Sequence, residues 1–183
     1  MNRIYPYSCT TTRCDTGDVI LDEKFNLRLS HSASLKELEL IELSKRAGGG
    51  VHWAPILPHN WDGLTQEKKS DIVESNEFDI KVEGIYFRNE VNLEDIQKIT
   101  AYPEIDGLHI MRSTLKDEDV RLLTCFVNLD HLRLRGIQFS DVVIEYVAEL
   151  KKLRNLDIFE TSISESGVSK LNRLLPNCSI WGP

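Results

Sequence analysis

Apolar residues recur at an interval of 24 through the C-terminal half of this chain, and that period is the strongest constraint on its fold. One copy reads Ile105, Leu108, Ile110, Leu115, Val120, Leu123 and Phe126. The next reads Leu129, Leu132, Leu134, Phe139, Ile144, Val147 and Leu150. The third reads Leu153, Leu156, Ile158, Ile163, Val168, Leu171 and Leu174. No gap is needed to align them. A leading copy, one residue shorter, is read from Val82, Ile85 and Phe87 followed by Ile96, Ile99 and Tyr102.

The spacing changes character within each copy. The first positions fit a short strand with its approach. The last three, three residues apart, fit one face of a helix or a 3₁₀ turn. Ser140-Asp141 and Ser164-Glu165 stand just before the helical positions, where a cap oxygen and an acidic first turn are favourable. Gly167 is read as relaxing the backbone at its turn. A single copy buries too little apolar surface to offset the ordering of its backbone, so the copies must stack on one another or on caps.

These motifs resemble the bacterial leucine-rich repeat, L-x-x-L-x-L-x-x-T-x-I-[ST]-[DE]-x-G. Residues Thr161 to Val168 are closest to it, and the two preceding copies lack its glycine. The stretch from Leu174 through Pro176, Asn177 and Cys178 to Ile180 is similar to the Leu-Pro-Asn-Cys-x-Ile C-terminal cap of that family. The resemblance implies an α/β fold: a short solenoid with parallel strands on a concave face and helices on a convex face. It covers residues 79–183, about four repeats.

Residues 1–78 lack the period and are read as an N-terminal capping segment. Asp18 to Leu29 suggests a hairpin. Ser34 to Glu37 forms a capping box that opens a helix near 34–46, ended by Gly48, Gly49 and Gly50. No Gly-Lys-Ser/Thr follows, so this is no phosphate loop. An aromatic loop spans 51–61, and a second helix is expected near 65–75. Beside the capping role, His52, Trp53, His59 and Trp61 form a possible second partner-binding loop.

The period also assigns the outward side chains. Lateral rows about 4.8 Å apart are expected: Gly107, His131, Asn155; His109, Arg133, Asp157; Met111, Arg135, Phe159; and Arg112, Gly136, Glu160. Tyr86 and Arg88 extend them into the leading copy. Arginine, histidine and aromatics together have the composition of an interface. The plainer alternative is a wetted strand face with an ordinary lateral Arg133–Asp157 bridge.

An acid–base site is disfavoured, because His109 and Asp157 would lie about 9–10 Å apart on a flat, wet sheet. The expectation is a protein-binding module acting as adaptor, regulator or immunity-type inhibitor, without cofactor and not an enzyme. The alternative is an assembly subunit using the aromatic loop and the solenoid ends.

The net charge of -7 disfavours nucleic acid as the partner. No membrane segment or secretory signal is visible, so the expected compartment is the cytoplasm. Cys9, Cys14, Cys125 and Cys178 are too few for a disulfide scaffold. Cys125 and Cys178 read as small buried hydrophobes. Cys9 and Cys14 have no second ligand pair nearby, so no metal is expected.

Overall fold

Parallel strands separated by one helical segment each make up most of the structure, a computed structural model. It describes residues 19–21, 27–29, 35–55 and 80–182, with isolated positions at 63, 65, 67–68 and 71. Side chains are described over 38–52 and 82–182 and at those isolated positions. The expected helix near 65–75 lies largely outside the described residues, as do Cys9, Cys14, His59 and Trp61.

The elements are β1 (Val19–Leu21), β2 (Leu27–Leu29), α1 (Leu35–Arg46), β3 (Gly50–Pro55), β4 (Ile80–Phe87) and α2 (Leu93–Ile99). There follow β5 (Gly107–Ile110), a 3₁₀ helix (Asp117–Cys125) and β6 (His131–Leu134). A 3₁₀ turn (Asp141–Val143) runs directly into α3 (Ile144–Val147). The chain closes with β7 (Asn155–Asp157), α4 (Glu165–Leu174) and β8 (Ser179–Trp181). Strands β1 and β2 pair as an antiparallel hairpin. The main sheet has the order β3-β4-β5-β6-β7-β8. Strand β3 is antiparallel to β4, and all later pairs are parallel. Among the described residues, no helix is long and apolar enough to cross a membrane.

The sheet register carries the period. Leu108 pairs with Leu132, Leu132 with Leu156, and Leu156 with Ile180, each 24 residues on. Between β4 and β5 the offset is 23, with Ile85 beside Leu108. Leu108, Leu132 and Leu156 are at most 2 % exposed and share one core with Ile96, Ile99, Val120, Leu123, Ile144, Val147 and Leu171. The helical segments therefore all cover the same face of the sheet.

The repeat pattern departs from expectation in the last helical segment, where Val168 is only partly buried. Leu174 is exposed, and Leu175 is buried instead. The physical reason is helix pitch. The equivalent segment at 117–125 is 3₁₀, so residues three apart stay in line. The segment α4 is a regular α-helix of 10 residues, whose buried side is Gly167, Leu171 and then Leu175, four apart.

Gly167 also has a different role from the one its sequence position suggested. Its φ is not positive. A Cβ there would come within 2.3 Å of Asp141 Oδ1. The glycine makes room for Asp141 to cross to the next repeat. Asp141 Oδ1 accepts from the Ser164 backbone N–H at 2.8 Å, and Oδ2 accepts from Ser164 Oγ at 2.6 Å. Asp117 does the same for Ser140, with the backbone bond at 2.9 Å. Each bridge satisfies a group at the start of a helical segment that would otherwise need water.

The stretch 51–61, read as a loop, begins as strand β3. Val51 and the residues after it have strand propensity, and Pro55 is tolerated because β3 is an edge strand. A register irregularity between His52 and Trp53 interrupts that edge. The glycine run before it is required by packing. Gly48 has φ +62 and closes α1, its N–H donating to Lys45 O at 3.0 Å. A Cβ on Gly49 would lie 1.7 Å from the Tyr86 carbonyl oxygen. Arg46 forms an ion pair with the buried Asp95 at the start of α2. Asp95 also completes a capping box with Asn92, both bonds at 3.1 Å.

Because Leu132 and Leu156 sit at the centre of the shared core, Leu132→Ala and Leu156→Ala are each expected to lower the unfolding free energy by about 2–5 kcal/mol. Urea denaturation measures this; a loss under about half a kcal/mol at either position would contradict the burial described.

Candidate functional site

Strand alternation sends the odd-numbered residues of β5, β6 and β7 to the face opposite the described helical segments. The register then lines them up. Gly84, Gly107, His131, Asn155 and Ser179 form one row. Tyr86, His109, Arg133, Asp157 and Trp181 form the next. Past the strand ends, Met111 N–H donates to Phe87 O and Arg135 N–H donates to Ile110 O, which carries the register on to Arg88, Met111, Arg135 and Phe159. Arg112 is exposed just beyond β5, its carbonyl accepting from Val91 N–H at 3.3 Å. Gly136 and Glu160 follow it at the same repeat position and share positive φ, 68° and 59°.

Strand β3 adds a member. His52 pairs across from Gly84 and packs at a tilt against Tyr86, ring centroids 5.0 Å apart and planes at 43°. The backbone of Trp53 lies next to it in β3, opposite Val82. His52 belongs to the open face because of antiparallel pairing between segments distant in sequence. A 24-residue period has no means of indicating that.

Two glycines side by side leave a gap in the first row. Among the described residues, a Cβ on Gly107 would meet only Gly84 Cα, at 3.9 Å. His52 and Tyr86 stand on one side of this gap and His131 on the other. The result is a shallow recess in the open face, floored by backbone.

The polar groups around it are largely paired with each other. Asn155 Nδ2 donates to His131 Nε2 at 2.8 Å, which leaves Nδ1 as the protonated nitrogen against Asp130. This arrangement orients His131 and engages both of its ring nitrogens. Asp130 was not among the candidates from sequence, because adjacent strand residues are expected on opposite faces, and it sits just before β6 begins. Arg133 Nε lies 2.9 Å from Asp157 Oδ2. Its N–H does not align with that oxygen, and Nε is a buried nitrogen with no hydrogen-bond acceptor among the described residues. Arg135 Nη2 donates to Glu160 Oε1 at 3.3 Å, with its guanidinium 5.7 Å from the Phe159 ring centroid. The lateral Arg133–Asp157 contact is therefore present within the patch. Among the described residues, no group of histidines, cysteines and carboxylates is arranged to hold a metal ion. Cys178 is buried and Cys125 half-buried; burial pushes the Cys178 thiol up to about 11.

His109 is held neutral. Burial, then the positive charge of Arg133, then His52 and His131, bring its pKa down to about 4, against a smaller opposing pull from Asp157. Burial lowers His52 in the same direction. A histidine whose folded pKa lies below its unfolded value takes its proton more readily when unfolded. Its contribution is therefore complete above pH 6.5 and is lost as the pH falls from 6.5 towards 4. His109→Gln is expected to flatten this part of the stability–pH curve, by roughly 3 kcal/mol at most. Urea melts at intervals from pH 7 to pH 4 provide the check, and parallel curves for the two proteins would refute it. Asp141 acts in a separate window. Its bonds to Ser164 hold its pKa below 3.8, so its contribution is lost only at more acid pH.

No protein-family model matches this chain, and no curated protein matches it. Among solved structures, an LRR protein of Leptospira interrogans is similar over 51 % of this chain, at 18 % identity and a TM-score of 0.38. The similar part spans 29 % of that protein, so the chain matches less than a third of its length.

Proposed function

We propose that this chain is a short leucine-rich-repeat solenoid that binds a protein partner on its open, concave sheet face. The observation that carries the reading is the composition of that face, ordered by the 24-residue register. Tyr86, His109, Arg133, Asp157 and Trp181 stand in one row, and its first members, Tyr86 and His109, flank a backbone-floored recess at Gly84 and Gly107. Aromatic and arginine side chains around a recess have the makeup of an interface centre. Parallel strands on one side and helical segments on the other support the solenoid form. In this reading residues 1–78 close one end, through contacts such as Arg46–Asp95. The segment from Leu175 to Ile180 closes the other, with Leu175 and Cys178 buried. The partner binds without a cofactor, and the role is adaptor, regulator or inhibitor rather than catalyst. The expected setting is the cytoplasm.

A second reading, assembly through the solenoid ends, has one observation in its favour. Trp181 on the edge strand β8 is 46 % exposed. Sedimentation that changes with protein concentration, and ceases to do so in Trp181→Ala, would favour it over the open-face reading.

The recess supplies a test that leaves the fold intact. A Cβ on Gly107 makes only an ordinary contact among the described residues and its φ is not positive, so Gly107→Trp is expected to change stability by less than about 1 kcal/mol while filling the recess. A partner captured from lysate of the source organism should be lost by Gly107→Trp and by the pair Arg133→Glu and Arg135→Glu. Capture of the same partner by all three proteins would place the interface elsewhere.

A further inference from the structure

The arginines of the open face and of its C-terminal edge differ in how far their charge is already matched. Arg133 faces Asp157, and Arg135 faces Glu160. Arg88 and Arg112 are exposed, and neither has a carboxylate in ion-pair range among the described residues. Arg88 is held in place by an aromatic ring, its guanidinium carbon 5.5 Å from the Tyr86 centroid. A ring-supported arginine has less rotamer freedom to lose on binding an anion and keeps its N–H edges available. Both unmatched arginines stand at the C-terminal ends of adjacent strands, in a chain of net charge -7.

The register gives this edge a pattern. Across the strand ends the sequence of side chains is Arg88, Met111, Arg135, Phe159, basic and apolar by turns, with Arg112 in the following row. Phe159 is 42 % exposed. We infer that this edge holds an extended segment of the protein partner in which carboxylates flank an aromatic residue. The carboxylates pair with Arg88 and Arg112, and the aromatic side chain lies on Met111 beside them. This rests on the open-face reading above and adds the partner's chemistry to it. A nucleic acid fits less well. Asp157 and Glu160 stand within the patch, and Asp106 and Asp130 lie at the other ends of the strands, so a run of phosphates would meet carboxylates on both sides.

The test uses the full chain and three fluorescein-labelled probes followed by anisotropy. They are a peptide of alternating glutamate and phenylalanine, the same peptide with lysine for glutamate, and a single-stranded oligonucleotide. The acidic peptide should bind, more weakly as salt rises, and Arg88→Glu with Arg112→Glu should weaken it by about tenfold or more. Circular dichroism should show the variant folded, since both side chains are exposed. Equal binding by the lysine peptide, tighter binding by the oligonucleotide, or affinity unchanged in the variant would each overturn the inference. The wider reading fails separately. If the captured partner is lost by Gly107→Trp but kept by Arg88→Glu with Arg112→Glu, the open face binds it and this edge does not.

Discussion

Backbone hydrogen bonding between parallel strands spaced 24 residues apart places chemically equivalent side chains beside one another. Leu108, Leu132, Leu156 and Ile180 become one apolar row because their backbones are paired in that register. The same pairing holds the helical segments over that row, where Val120, Ile144 and Leu171 complete the core. A slip of one residue would send the leucines of every strand to the open face and the arginines into the core. Strand pairing and burial thus enforce each other, and neither is stable alone at three or four residues per strand.

Polar chemistry follows the same lattice. Asp117 reaches Ser140, Asp141 reaches Ser164, and Asn155 reaches His131, each one repeat away. Exposed bridges of this kind contribute modestly one at a time. Their effect here is local, because each binds a group at the start of a helical segment or orients a side chain on the sheet. Gly167 shows how closely the repeats approach: a single methyl group there would occupy the space of the Asp141 carboxylate.

On the open face the lattice acts as a filter on charge. Arginines with a carboxylate one repeat along, at Arg133 and Arg135, are matched within the protein. At the leading repeat Arg88 has no carboxylate in ion-pair range among the described residues and rests on Tyr86 instead. The antiparallel strand β3 brings His52 into this end of the face. Burial, and then the nearby charge of Arg133, keep His109 neutral, so the middle of the patch is less positive than its residue list suggests.

Much of this was legible in the residues themselves, because a fixed period is a linear property of a chain. Equal spacing of Leu132 and Leu156 determines which residues pair, which face is apolar and which side chains form rows, whatever the details of packing. Three features were decided only in the tertiary structure. Helix pitch, 3₁₀ at 117–125 and α at 165–174, moved the last buried position from Leu174 to Leu175, since both pitches fit one short apolar pattern. Pairing of β3 with β4 depended on contacts between segments about 30 residues apart with no shared motif, and so His52 and its neighbour Tyr86 met unannounced. The charge state of the face depended on distances and burial, which place Asp130 on His131 and set Arg88 on the Tyr86 ring. Those are properties of three-dimensional proximity, and the order of residues along the chain does not contain them.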